Sequence, residues 1–298
     1  MTQAETPQST DLAASEWLTD SNGHFALAIR HGGNRLFVEQ SPYQTVEVFQ
    51  TETFGKMLTI DSMVMCTEVD EAAYHEMIVH VPMQVHGDVR NVLVIGAGDG
   101  GTIRELMRYE QIERVTMVEI DDAVVRASKE FLPSISSAFG HPKLDLQIGD
   151  GIKFLQAAAA ESYDLIVIDS SDPVGPSEGL FSEGFYRDVY RVLKTGGSLT
   201  VQSEGPMFNT SAFKDLNQCL KLVFGQDSVN CYLVFIPTYP TGMWSLTYCT
   251  KNGPHPVKAL DEASTTAFTT SHPLRYYNID VHRAAFCLPN HIKAMINE

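Results

Sequence analysis

The chain has no apolar run long enough to cross a bilayer. Its longest, Asn91 to Gly96 and Leu165 to Ile168, fall far short of the ~20 residues a spanning helix needs. The opening MTQAETPQST also lacks the basic-then-apolar layout of a secretory leader, so the expectation is a cytoplasmic protein with no membrane partner. No CxxC pair occurs. The five cysteines, Cys66, Cys219, Cys231, Cys249 and Cys287, are odd in number and widely scattered, which points to reduced, mostly buried thiols rather than a zinc site or a disulfide framework. Basic residues are scarce: 21 Lys and Arg against 37 Asp and Glu leave a net charge of −16. That balance repels nucleic acid and anionic lipid but steers in a cationic small molecule. What is present is ordinary globular composition, 44% hydrophobic and 19% charged, which excludes wholesale disorder and provides for a sizeable core. The length of 298 residues suits about two domains.

Residues 1–14 are polar and aperiodic and read as a mobile tail. Residues 15–68 read as a small antiparallel β domain, with β-rich runs at Phe25–Ile29, Arg35–Val38, Thr45–Phe49 and Met57–Met65 between turn signals. A helix is predicted over Asp70–Val81, with Pro82 just beyond its end. From Arg90 onward strands and helices alternate, so residues 69–298 read as a second unit of α/β class built on a doubly wound parallel sheet. The end differs. Asn230–Ile236 and Met243–Cys249 are joined by too few residues for a helical crossover, so the last strand should return antiparallel. This is the methyltransferase-like variant of the Rossmann sheet.

Gly96-Ala-Gly-Asp-Gly-Gly101 follows an apolar strand and opens a helix, where an α/β sheet admits a ligand at its carboxyl edge. Glu119 ends the next strand, placed to accept hydrogen bonds from ribose hydroxyls, and Asp150 follows the third strand beside the expected adenine. Asp99 within the loop argues against a pyrophosphate, because like charges would be forced together. A cationic sulfonium nucleoside suits the loop better than a dinucleotide. Asp169, after the fourth strand, emerges at the same edge. Neither Gly96–Gly101 nor Asp169–Leu180 contains Lys or Arg, so the second ligand should also be positively charged.

An aliphatic amine meets that requirement. It is protonated at neutral pH, and a carboxylate that binds the ammonium and then takes its proton turns it into a nucleophile. Asp169 is the candidate base, with Asp172, Tyr74, Gln202 and Tyr239 to hold or orient the amine. Each has a plainer alternative: Asp172 as a helix cap, Tyr74 as helix packing, Gln202 as a strand-end polar group, Tyr239 as a hairpin-turn aromatic. A methyltransferase on the same fold and a non-catalytic polyamine sensor also remain open. The histidines of the last 28 residues, among them His272, His282 and His291, lack regular ligand spacing, so packing rather than a metal is expected.

The chain resembles the polyamine aminopropyltransferases, the spermidine synthase branch above all. The resemblance rests on Ser41-Pro-Tyr-Gln44, Thr67-Glu-Val-Asp-Glu71, Tyr74-His-Glu-Met77, the Gly96–Gly101 loop, Val118-Glu-Ile-Asp121, Phe131-Leu-Pro-Ser134, Gly149-Asp-Gly151, Asp169–Pro176, Gln202-Ser-Glu204 and Pro237–Trp244. It implies transfer of an aminopropyl group from decarboxylated S-adenosylmethionine, a co-substrate, to putrescine, giving spermidine and 5′-methylthioadenosine without a metal or resident cofactor. It assigns Gln44, His75, Gly96, Asp99, Glu119, Asp150, Gly151 and Pro176 to the donor. Tyr74, Asp169, Asp172, Gln202 and Tyr239 fall to the amine, with Asp169 as catalytic base and residues 171–180 as a lid. It further implies a homodimer or homotetramer. Ala97 departs from a glycine common in the loop, and Val69 and Ala72 depart beside the Tyr74–Met77 stretch. If Ala72 widens the cavity, agmatine or a longer diamine becomes a candidate acceptor.

Overall fold

The computed structural model describes residues 13–297 except Gly23 and Val174, so most of the polar stretch 1–14 lies outside the described residues. The N-terminal part holds two antiparallel sheets where the sequence suggests one. A hairpin of β1 (Trp17–Ser21) and β2 (Ala26–Arg30) packs against, without pairing to, a four-stranded sheet of β3 (Arg35–Gln40), β4 (Thr45–Gln50), β5 (Lys56–Ile60) and β6 (Met63–Thr67), paired in that order. The run Met57–Met65, read as one strand, is a hairpin: Ile60 pairs with Met63 around Asp61 and Ser62, whose φ angles are 48° and 66°. Two consecutive residues at positive φ make the tight turn that matches strand twist. Asp-Ser is an unusual pair to supply it.

Next comes α1 (Glu71–Met83), all thirteen residues of which are buried. Pro82 lies inside this helix, not beyond it. In the last turn its missing N–H costs one hydrogen bond, a loss the surrounding packing offsets.

The main sheet has seven strands: β7 (Asn91–Gly96), β8 (Arg114–Glu119), β9 (Leu144–Ile148), β10 (Tyr163–Asp169), β11 (Leu193–Gln202), β12 (Val229–Phe235) and β13 (Met243–Thr250), in spatial order β12-β13-β11-β10-β7-β8-β9. Only β13 runs against the direction of the other six, inserted between β11 and β12. Helices α2 (Gly101–Leu106), α3 (Asp122–Phe131), α4 (Gly151–Ala157), α5 (Glu183–Val192) and α6 (Thr210–Phe224) connect the strands. The central strands carry unbroken apolar runs, Val92–Ile95 of β7 and Leu165–Ile168 of β10, because both sheet faces are covered there. Leu165 and Val167 of β10 join the core that includes α1, while Ile166 and Ile168 join the opposite core under α5 and α6.

From β7 the chain winds one way through β8 and β9, then crosses to β10 and β11 on the other side. The strand order reverses between β7 and β10, so the connections leaving their carboxyl ends run to opposite faces of the sheet and open a crevice between them. Asp169 pairs with Gly96 at that point. The four-stranded sheet covers the crevice: Val46, Val48, Leu58 and Ile60 pack against Ala123, Val124 and Ala127 of α3. Ser41 Oγ donates to Asp121 at 2.7 Å, and Arg126 grips Glu39 at 2.7 and 3.0 Å.

The C-terminal part adds α7 (Glu262–Ser271), α8 (Ile279–Ala285) and α9 (Asn290–Asn297). His282 is fully buried, with its ring nitrogens 2.7 Å from the Tyr277 hydroxyl and 2.9 Å from the Pro256 carbonyl. Glu76 of α1 fastens this part to the rest. Its carboxylate accepts the backbone N–H groups of Arg275, Tyr276 and Tyr277 at 2.8, 2.8 and 2.7 Å, and it is itself buried. Removing the acceptor leaves three amide donors without a partner. Glu76→Ala should therefore lower stability by about 3 kcal/mol in urea unfolding and expose the segment around Tyr276 to protease before the core unfolds.

Candidate active site

The crevice holds a cleft of about 1210 Å³, part of it open to solvent. Its floor is the ends of β7, β8, β10 and β11, and its roof is the apolar edge of the four-stranded sheet, Leu58 to Met65. Gly96 is forced by packing: its φ is 86°, and a Cβ there would lie 2.0 Å from the Asp169 carbonyl oxygen. Ala97, also at positive φ, donates its N–H to that carbonyl at 2.8 Å. The loop and the Asp169 strand end are thus locked together.

Asp99 is not the free carboxylate the sequence suggests. Its Oδ1 accepts the Gly101 N–H at 2.7 Å, and its Oδ2 lies 3.2 Å from His75 Nε2. The other ring nitrogen of His75 lies 2.6 Å from Glu71, which Arg104 also holds. Burial opposes a charged imidazole, but Asp99 and Glu71 outweigh it and raise His75 well above its ordinary range. The same pairing keeps Asp99 low despite its burial. His75 does not line the cleft and reaches it through Asp99.

Asp169 accepts the Tyr74 hydroxyl on Oδ1 at 2.7 Å and the Thr102 hydroxyl on Oδ2 at 2.6 Å. Burial and the nearby Asp99 charge raise it above the usual carboxylate range. Glu119 lines the cleft from the end of β8 and accepts the Asp121 N–H at 2.9 Å; burial pushes it up to about 7. Asp150 lines the cleft and also caps α4, accepting the Ile152 and Lys153 N–H groups at 2.9 and 3.2 Å. Gln44 and Gly151 lie in the wall as well. Pro176 falls in the 3₁₀ turn after Asp172, and its side chain lies outside the described residues.

A second acidic group lies at the other side of Asp172. Asn209 donates to Asp172 Oδ2 at 3.1 Å and to Glu204 Oε2 at 2.6 Å, and Gln202 donates to Glu204 at 2.8 Å. Burial, then the charge of Asp20, push Asp172 up to about 6; burial, then Asp172, push Glu204 up to about 8. Asp20 is itself raised by burial. Among the described residues no backbone N–H bonds the Asp172 carboxylate, whose partner is Asn209. Asp20 and Glu204 are candidates that sequence reasoning missed, although Glu204 stands two residues beyond Gln202. Both ends of the Gln202 amide are held within the wall, by Glu204 and, more weakly, by the Ser171 carbonyl at 3.4 Å. Tyr239 presents its ring, since its hydroxyl donates to the Met65 carbonyl at 2.6 Å. Ala72 is buried but does not line the cleft, so its small size does not enlarge the cavity.

Six carboxylates line the cleft (Asp20, Asp99, Glu119, Asp150, Asp169, Asp172) and, among the described residues, no Lys, Arg or His does. Fold and cleft together define a methyltransferase-like doubly wound protein with a carboxylate-lined cleft at its switch point. Comparison with known proteins narrows this. Residues 71–259 match the spermine/spermidine synthase domain and residues 33–68 the spermidine synthase tetramerisation domain. A polyamine aminopropyltransferase of Clostridioides difficile is 43% identical over 95% of this chain and 99% of its own, and spermidine synthase 1 of Pisum sativum is 42% identical over 88% and 79%. Among solved structures, a spermidine synthase in complex with the transition-state analogue AdoDATO superposes with a TM-score of 0.90 at 32% identity, covering 100% of this chain and 98% of that one. The spermidine synthase of Thermotoga maritima gives 0.88 at 34%, covering 94% of each chain. The chain belongs to the spermine/spermidine synthase family, and with it to the polyamine aminopropyltransferases.

Because the folded state raises His75, the stabilisation from its two ion pairs is complete below about pH 6.5 and fades as pH rises through the raised value. An imidazole NMR titration should show His75 still protonated at pH 7.5. Glu71→Gln should bring its midpoint back down, and an unchanged midpoint would remove Glu71 from the pair.

Proposed function

We propose that the protein is a spermidine synthase: it transfers the aminopropyl group of decarboxylated S-adenosylmethionine to putrescine, with Asp169 as general base. The observation that carries this reading is the cleft lined by carboxylates and lacking basic side chains. Such a wall favours a donor that has lost its carboxylate and an acceptor with a cation at each end. Intact S-adenosylmethionine would bring a carboxylate against Asp99 and Asp169, which disfavours the methyltransferase reading.

On this reading the nucleoside lies along Gly96, Glu119 and Asp150, with Glu119 accepting the ribose hydroxyls and Asp99 facing the amino end of the aminopropyl chain. One putrescine nitrogen is held at Asp169 and the other toward Asp172 and Glu204. Asp169 removes a proton from the near ammonium. The freed lone pair forms the C–N bond as the C–S bond breaks, and the electron pair of that bond neutralises the sulfonium as methylthioadenosine leaves. The proton rests on Asp169. The reaction needs no metal or resident cofactor, and residues 171–180 would close over the ligands. The tetramerisation-domain match over residues 33–68 supports a homo-oligomer, dimer or tetramer.

Two measurements test this. Asp169→Asn should cut turnover by about 10² to 10⁴ while donor affinity stays within a few fold. A screen of amines with the decarboxylated donor should give the highest kcat/KM with putrescine, and turnover of agmatine alone would overturn the acceptor. Raised carboxyls make a third prediction. With Asp172 pushed up to about 6 and Glu204 to about 8, both are partly protonated near neutral pH, and a bound dication drives those protons off. Putrescine binding at pH 7 should release protons, visible as calorimetric heats that change with the buffer's ionisation enthalpy. Affinity should fall as pH drops from 8 to 6, and Glu204→Gln should reduce both effects.

A further inference from the structure

Thr102 is the second residue of α2, directly after the glycine loop, is fully buried, and does not line the cleft. A threonine hydroxyl within a helix commonly bonds back to the carbonyl a turn earlier. Here it donates instead across the switch point to Oδ2 of Asp169, 67 residues away in sequence, at 2.6 Å. Tyr74 approaches Oδ1 from α1 at 2.7 Å. A carboxylate has about four lone-pair sites, so one hydroxyl on each oxygen fixes its plane and leaves acceptor capacity for a ligand.

The surroundings of Asp169 make that contact consequential. Burial and Asp99, on the glycine loop, disfavour its charge. His75 on α1, the Thr102 hydroxyl and the Tyr74 hydroxyl favour it. Tyr239 above and Glu119 from β8 are close enough to feel the same charge. Of the favourable groups, Tyr74 forms part of the cleft wall and His75 already bridges two carboxylates. Thr102 has Asp169 as its hydroxyl's partner and no part in the wall.

We propose that Thr102 is a positioning residue: its hydroxyl, set against that of Tyr74, orients the Asp169 carboxylate and holds it ionised, ready to take a proton from a bound ammonium. The proposal deepens the reading of Asp169 as base and rests on it. A hydrogen bond to the charged form favours that form, so losing the hydroxyl makes the carboxylate a proton acceptor only at higher pH.

The test compares Thr102→Val, which removes the hydroxyl, with Thr102→Ser, which keeps it. In Thr102→Val the acid limb of kcat against pH should move up by about one unit, so turnover falls about tenfold below the limb and recovers above it. Donor KM should stay within about twofold, and Thr102→Ser should follow the wild-type profile. A carboxyl ¹³C titration of the ligand-free protein, with the Asp169 signal assigned by its loss in Asp169→Asn, supplies the readout that does not depend on turnover. A shift of both limb and carboxyl midpoint supports the proposal. A shifted carboxyl with an unmoved limb supports the contact but sinks Asp169 as base. An unmoved carboxyl, or equal loss in the serine and valine variants, overturns the proposal and leaves Thr102 a packing residue. Should Thr102→Val fail to fold, Thr102→Ala carries the same two measurements.

Discussion

The structure depends on keeping carboxylates partly or wholly buried in one crevice. A buried carboxylate without a partner is costly, and it escapes that cost by pairing, by accepting hydrogen bonds, or by taking up a proton. All three solutions occur in one cleft or directly behind its wall. Asp99 is paired with His75; Asp169 is held by two hydroxyls; Asp172 and Glu204 share Asn209 and are raised toward neutrality. The differences set up distinct chemistry from one residue type. A paired carboxylate stays charged and fixed in place, whereas Asp172 and Glu204, pushed up to about 6 and about 8, take up a proton more readily.

The scaffold supplies the conditions for this. The parallel order of β10, β7 and β8 brings Asp169, the glycine loop and Glu119 to one edge, and the reversal between β7 and β10 opens the space they share. The roof of Leu58 to Met65 lowers the local dielectric and so strengthens every charge interaction beneath it. The N-terminal sheet therefore does more than cover the crevice. It makes the carboxylates' need for a cation stronger than it would be on an open sheet edge.

Much of this was legible in the chain itself because strong local signals coincided with the global fold. Unbroken apolar runs marked the doubly covered strands, the glycines marked the first loop, and acids at strand ends marked the edge. Where the reading failed, the determining contact was remote in sequence or carried by an atypical residue. Asp61-Ser62 turns a hairpin without the usual Asn-Gly signature, so β5 and β6 read as one strand. Asp20 sits on the inward face of a five-residue strand, beside buried Leu18, where a polar residue looks like part of a loop. The partnership of His75 with Asp99 spans 24 residues, and that of Glu76 with Tyr277 spans 201. Neither leaves a periodic trace.

Tyr74-His-Glu-Met77 shows how one helical turn can serve several ends of the molecule. Tyr74 bonds Asp169, His75 holds Asp99, Glu76 clamps the C-terminal segment, and Met77 fills the core while its carbonyl accepts the Tyr232 hydroxyl. At 100° per residue these four side chains point in different directions, so α1 can connect the site, the glycine loop, the C-terminal part and the sheet only by being surrounded on every side. Its complete burial follows from that role. It also explains why an amphipathic stripe is a poor guide to this helix, and why a polar sequence such as Tyr-His-Glu can lie at the centre of the protein: each polar group there has a partner waiting on a different element.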